Sequence, residues 1–162
     1  MMNIFETDFW LLKHRADSKL PGYLILVAKE QSAISLSELS DKALQELGFL
    51  QAYATRSLET RFRAKLVYIC RWGHQSGNSP HFHIVPLYDW VEHAYASDPL
   101  WAESDPDGPV YFTFITRAFI EYLIPPVIHG PSIEEVISVL QEDFSKLNIK
   151  VNCQPELTTK VT

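Results

Sequence analysis

The sequence contains little of what marks several common classes of protein. Its only cysteines are Cys70 and Cys153, too few for the disulfide framework of a small secreted domain. No apolar run reaches the roughly 20 residues that a membrane-spanning helix needs. The N-terminus also lacks the basic region and apolar stretch of a secretory signal. We therefore expect a cytoplasmic protein with no membrane partner.

Positive charge is scarce as well, with 14 Lys and Arg against 20 Asp and Glu and a net charge of −6. The bases are scattered rather than gathered into one stripe, which disfavours nucleic acid as a partner. A small anionic ligand remains possible, because local donors decide whether a pocket holds a phosphate.

With 162 residues, of which 46% are hydrophobic, the chain is expected to form one domain over residues 1–162.

Short apolar segments predict an antiparallel sheet in the first half of the chain. Residues 9–12 and 23–27 are apolar and are separated by Pro21-Gly22, a turn signal between two strands. Residues 66–70 are β-branched and aromatic, which favours a third strand. A polar, glycine-containing loop then leads to a further strand that carries two histidines.

Helical periodicity follows the first strand pair and returns near the C-terminus. Ser35 and Glu38 are spaced as a capping box, and apolar residues then recur at helical intervals over about residues 37–63. Residues 110–123 are apolar enough for either a strand or a helix, and we favour a helix. Ser132 precedes an amphipathic segment with acidic residues in its first turn, which predicts a capped helix.

The candidate site is the segment Ser79-Pro80-His81-Phe82-His83. Because strand side chains alternate, Ser79, His81 and His83 are expected on one face, with the imidazoles about 7 Å apart. A neutral imidazole is a competent nucleophile, and a second histidine can donate to phosphate oxygens or protonate a leaving group. The preceding glycine-containing loop offers backbone N–H groups that could cradle an anion.

This segment resembles the signature of the histidine triad family, His-x-His-x-His followed by two apolar residues and often a proline. Counting back from Pro86 places the third position at His83, the middle at His81 and the first at Ser79, so a serine replaces the first histidine. A second register would make His81 the first position and His83 the middle one. It would put Val85 third and displace Pro86.

Two flanking segments add to the resemblance, and a third departs from it. His74-Gln75-Ser76 is similar to the family's phosphate-binding Gly-Gln-Ser/Thr turn, with His74 in place of the glycine. Pro21-Gly22-Tyr23 is similar to the family's Pro-Gly-His turn. Lys13-His14-Arg15 stands where family members commonly hold the ribose with Asp or Asn.

The resemblance covers about residues 5–88 and leaves 89–162 as a C-terminal extension. It implies an α+β fold with about five antiparallel strands, a long helix and a C-terminal helical extension, usually paired into a homodimer. It also implies a hydrolase or transferase that needs no cofactor or metal. In this reading His81 attacks the α-phosphate of a dinucleoside polyphosphate, nucleotide ester or phosphoramidate and forms a covalent nucleotidyl-histidine.

The other site residues receive supporting roles by the same resemblance. His83 would contact the phosphate or assist the leaving group, and Ser79 would orient His81 or bind phosphate. The phosphate-binding turn would be formed by His74, Gln75 and Ser76.

Two alternatives remain open. Cys70, His74, His81 and His83 could supply sulfur and nitrogen ligands to a tetrahedral zinc ion, although no Cys-x-x-Cys pair is present. The serine at position 79 would also suit a nucleotide-binding regulator that has lost turnover. Trp72 and Trp90 flank the histidine segment, and we interpret them as packing residues.

Overall fold

Five strands form one antiparallel sheet in the computed structural model, which describes residues 2–72, 79–102 and 105–147. In chain order they are β1 (Asn3–Glu6), β2 (Trp10–His14), β3 (Leu24–Ala28), β4 (Leu66–Cys70) and β5 (His81–Leu87). The spatial order is β1-β2-β3-β5-β4, and every neighbouring pair is antiparallel. The predicted antiparallel sheet is therefore confirmed, with β1 as a strand that we had not predicted.

The helices lie between β3 and β4 and after β5. They are a 3₁₀ turn (Leu36–Glu38), α1 (Asp41–Phe62), α2 (Asp89–Ser97), α3 (Gly108–Thr116), a π-helical turn (Arg117–Glu121) and α4 (Ile133–Ser145). The helix favoured for residues 110–123 is confirmed, and α4 begins after Ser132 with the expected capping box. Helix α2 was not predicted. No helix in the described segments is long and apolar enough to cross a lipid bilayer.

The long helix starts later than its capping signal predicts. Ser35 and Glu38 do form a capping box, but it caps the 3₁₀ turn, which ends at Leu39 in an extended conformation with ψ 146°. Helix α1 then begins with a new cap, in which the Ser40 side chain accepts from the backbone N–H of Ala43. The predicted start at residue 37 was therefore wrong, whereas the end is close to the predicted one.

The sheet separates a packing face from a face that carries polar groups. Leu12, Leu26 and Ile84 are fully buried and belong to the same apolar cluster as Leu50 and Leu58 of α1. Side chains alternate along a strand, so the residues between these positions point to the other face. The candidate site lies on that other face, where α3 partly covers the sheet.

Candidate active site

The two histidines of β5 lie side by side on the face opposite α1. Across the β3–β5 ladder His83 pairs with Ile25, and the His81 and His83 ring centroids are 5.3 Å apart. Phe82, between them in sequence, packs on the other face against Trp10 with ring centroids 6.1 Å apart. The structure thus brings the two predicted catalytic residues together.

His81 is oriented by a backbone carbonyl. Its Nδ1 lies 3.1 Å from the carbonyl oxygen of Ser79. A carbonyl can only accept, so we infer that Nδ1 carries the proton and that Nε2 keeps its lone pair. The contact uses the Ser79 main chain, which a residue of any type could supply. The orientation of His81 therefore does not depend on which side chain stands at position 79.

His83 is held in the opposite tautomer by a chain of polar groups. The Tyr23 hydroxyl lies 3.1 Å from His83 Nδ1 and accepts a hydrogen bond from Arg15 Nη1 at 3.0 Å. Arginine can only donate, so among the contacts described for the buried hydroxyl Nδ1 is the acceptor for its proton. We infer that the hydroxyl donates to Nδ1 and that Nε2 of His83 carries a proton. Asp17 completes the chain by accepting from Arg15 Nε at 2.6 Å and Nη2 at 3.0 Å.

The surroundings of this chain keep His83 neutral. Burial, with a smaller contribution from the nearby charge of Arg15, lowers the pKa of His83 to about 4, and Asp17 opposes the shift. Burial also raises the pKa of Tyr23 to about 12, so its hydroxyl stays protonated at neutral pH. The hydrogen bond from Arg15 lowers the pKa of Asp17, which keeps that carboxylate ionised.

The loop that carries Arg15 and Asp17 is anchored at both ends. The fully buried His14 ring contacts two carbonyl oxygens, with Nδ1 at 2.9 Å from that of Arg15 and Nε2 at 3.1 Å from that of Leu20. Lys19 donates its backbone N–H to the Phe119 carbonyl at 2.8 Å. The loop is therefore fixed against both the sheet and the π-helical turn that follows α3.

A cavity of about 680 Å³ opens above the two histidines, and we call it the histidine cavity. Besides His81 and His83 its lining includes Lys13, Arg15, Asp17, Ile25, Trp72 and Phe112. A second cavity of about 700 Å³ lies between α2 and residues 122–129 and contains none of the predicted site residues. The chemistry suggested by the sequence therefore belongs to the histidine cavity.

Charge in the histidine cavity is positive although the protein is acidic. Lys13 and Arg15 provide two cations against the single carboxylate of Asp17. Arg15 is paired with Asp17, whereas no described carboxylate forms an ion pair with Lys13. In a protein of net charge −6 such a local excess of cations favours an anionic ligand.

The predicted phosphate-binding turn, His74, Gln75 and Ser76, lies outside the described residues. Of the proposed zinc ligands, Cys70 pairs directly with His83 across the β4–β5 ladder. No group of three or more His, Cys, Asp or Glu suited to a metal occurs within residues 2–72, 79–102 and 105–147.

Sequence reasoning missed several residues of the site. Tyr23 was noted only as part of a turn similar to the family's and Arg15 only as a departure from it, and Asp17, Phe112 and Thr116 were not noted at all. The signal for Tyr23 was its place after Pro21-Gly22, directly before the strand that pairs with β5. The α3 residues gave no signal, because nothing local shows that this helix covers the histidines.

Comparisons with known proteins identify the fold. No protein-family model matches the sequence, and no curated protein is significantly similar to it. Among solved structures it is similar to a zinc-bound histidine triad family protein from Mycobacterium smegmatis, with TM-score 0.53 and 15% identity over 89% of this chain and 84% of the other. A hypothetical histidine triad nucleotide-binding protein from Sulfolobus tokodaii gives TM-score 0.53 and 12% identity over 89% and 83% of the two chains.

A histidine triad protein from Bradyrhizobium japonicum is similar to the same degree, with TM-score 0.52 and 16% identity over 87% of this chain and 88% of the other. At identities this low, the structural similarity establishes a common architecture and no more. The chain therefore has the α+β fold of histidine triad proteins.

Proposed function

We propose that this protein is a nucleotide hydrolase or nucleotidyltransferase that acts at an α-phosphate through a covalent intermediate on His81. The observation that carries the proposal is the pair of opposite tautomers. The Ser79 carbonyl leaves a lone pair on Nε2 of His81, and the Tyr23 hydroxyl leaves a proton on Nε2 of His83. A nucleophile and a hydrogen-bond donor therefore stand side by side.

The two steps of the reaction follow from these roles. The Nε2 lone pair of His81 attacks phosphorus, and a P–N bond forms while the bond to the leaving oxygen or nitrogen breaks. The leaving group departs with the electron pair and takes a proton from solvent. Water, or an acceptor hydroxyl, then attacks phosphorus and loses its proton to solvent as the P–N bond breaks. The products are the leaving group and a nucleoside monophosphate or its ester.

His83 is best suited to donate a hydrogen bond to a non-bridging phosphate oxygen. With its pKa lowered to about 4 by burial, the ring is neutral at pH 7 and is a poor source of a proton for the leaving group. A neutral N–H donor still stabilises charge that develops on the phosphate oxygens. Lys13, on the same face of the sheet, adds a cation for the remaining phosphate charge.

The test is release of nucleoside monophosphate from dinucleoside polyphosphates and nucleotide phosphoramidates in the presence of a metal chelator. His81→Ala should reduce the rate by about 10³-fold or more, because the covalent route is lost. His93→Ala, which removes an exposed histidine from α2 outside the histidine cavity, is the matched control and should leave the rate unchanged. Intact-protein mass should increase by one nucleotidyl group in the native chain and not in His81→Ala.

Other outcomes favour the alternatives. Activity that chelator abolishes would favour the zinc site, for which Cys70 lies opposite His83, although burial raises the pKa of the Cys70 thiol to about 11 and so disfavours the thiolate. Nucleotide binding without release would favour the silent regulator. The homodimer and the cytoplasmic location implied by the family resemblance belong to the same proposal, and light scattering of the purified chain tests the first.

A further inference from the structure

Two aromatic side chains form one wall of the histidine cavity. The rings of Trp72, just after β4, and Phe112, on α3, have centroids 5.5 Å apart and are tilted by 47°. Phe112 in turn meets His83 edge-on at 6.0 Å. We call Trp72 and Phe112 the aromatic wall. Through Phe112, the aromatic wall is in contact with His83.

Trp72 leaves part of its indole ring uncovered. Half of its surface is accessible. An accessible indole leaves apolar surface in water, and covering it with a ligand ring regains that free energy. Trp72 also lines the cavity rather than the outer surface alone.

The sheet register places Lys13 and Trp72 on opposite sides of the two histidines. Lys13 pairs with Ile25, Ile25 with His83 and His83 with Cys70, so these residues form one row across four strands. At about 4.8 Å per strand, the row is roughly 14 Å long. Trp72 follows Cys70 by two residues along the chain, so it stays near the β4 edge of the sheet, on the side of β5 away from Lys13.

We propose that the histidine cavity binds phosphate esters whose ester group carries a flat aromatic ring, and that this ring stacks on Trp72 against Phe112. The proposal rests on the proposed function, because it places the phosphate at His81 and His83. It adds a choice of substrate: aryl or nucleobase-bearing esters are bound in preference to alkyl esters. The ring supplies affinity through stacking, which tolerates different ring systems.

The test compares two probes that carry the same anion, phenyl phosphate and methyl phosphate, by calorimetric titration of the full chain. The native protein should bind phenyl phosphate about tenfold more tightly, a preference typical of one stacked ring. Trp72→Leu should reduce the preference to about twofold, and Trp72→Phe should restore most of it. Phe49→Leu is the matched control: Phe49 is a half-exposed aromatic residue on α1, and its loss should leave the preference intact.

The failures of the two proposals are distinguishable. Equal binding of both probes by the native protein, or an unchanged preference in Trp72→Leu, would overturn the aromatic wall while leaving phosphate chemistry at His81 in place. If neither probe binds, or if His83→Ala leaves both affinities unchanged, the phosphate site is wrong and both proposals fall.

Discussion

Replacing Tyr23 by phenylalanine removes one oxygen from the centre of the candidate site. The ring is fully buried and meets His83 edge-on at 5.9 Å, so Tyr23→Phe retains the packing. The change leaves His83 Nδ1 and one N–H of Arg15 without their partner. Any effect should therefore come from the lost hydrogen bonds and not from a cavity.

The two orphaned groups differ in cost. His83 is 8% exposed, so water does not readily replace the hydroxyl, and an unpaired buried acceptor costs about 1–3 kcal/mol. The Arg15 side chain is 21% exposed and still pairs with Asp17, so losing the Tyr23 hydroxyl as an acceptor costs Arg15 little free energy. We expect Tyr23→Phe to lower the free energy of unfolding by about 1–2 kcal/mol.

The effect on activity should exceed the effect on folding. Without the hydroxyl, the His83 proton is free to move to Nδ1, and the donor aimed at the phosphate is lost in that tautomer. A hydrogen bond to a charged group contributes about 1.5–3 kcal/mol, so kcat/KM should fall by about 10- to 100-fold. Nitrogen-15 NMR of the His83 ring should show Nε2 protonated in the native chain and a mixture of tautomers in Tyr23→Phe.

Tyr53→Phe is the matched control. The Tyr53 hydroxyl donates to the Asp143 carbonyl at 3.0 Å, between α1 and α4 and outside the histidine cavity. Its removal should cost about 1 kcal/mol of stability and leave kcat/KM unchanged. The reasoning is refuted if Tyr23→Phe retains native kcat/KM and the native tautomer, because the hydroxyl would then have no positioning role.

Two further predictions concern stability. The free energy of unfolding should fall by roughly 2 kcal/mol from pH 7 to pH 4, because His83 takes up a proton near pH 6.5 in the unfolded chain and only near pH 4 in the folded chain. The lowered pKa of His14 acts in the same direction. Urea titrations over this range check the prediction, and a flat profile contradicts it. Gly22→Ala should destabilise by about 2 kcal/mol or more, because Gly22 has φ +81° and an added Cβ would lie 2.8 Å from Leu58 Cδ2. Gly48→Ala, with open space around it in α1, should instead stabilise by about 1 kcal/mol, and thermal unfolding of the two variants decides.

The start of α1 shows where local sequence patterns stop being informative. A capping box at Ser35 and Glu38 has the same spacing whether one turn or a long helix follows it. What restarts the chain at Ser40 is a distant contact, since Glu30 accepts hydrogen bonds from both the backbone N–H and the hydroxyl of Ser40. The spacing of apolar residues along a helix does not predict contacts of this kind.

Helix α3 was ambiguous for a different reason. Phe114 and Ile115 are fully buried in the core, whereas Phe112 and Thr116 line the histidine cavity. Both sides of the helix therefore carry apolar or weakly polar residues, and the contrast that defines an amphipathic helix is weak.

The sequence also predicts some residues of the candidate site and not others. His81 and His83 could be predicted, because a period of two places them on one face of a strand. Tyr23 contacts His83 across 60 residues of sequence, and Phe112 reaches the site only through the packing of α3. Such contacts follow from tertiary packing, which spacing along the chain does not encode.

The alternation of β5 has a consequence for how this segment can change during evolution. His81 and His83 are the site residues of this strand, and Phe82 and Ile84 pack on the other face, so a change of one side chain leaves the alternation of its neighbours intact. Deletion or insertion of one residue exchanges the two sets and would turn Phe82 into the cavity and both imidazoles toward the core. β5 also pairs with a strand on each side, so its neighbours hold the register. We therefore expect homologous chains to keep the length of β5 even where single residue types differ.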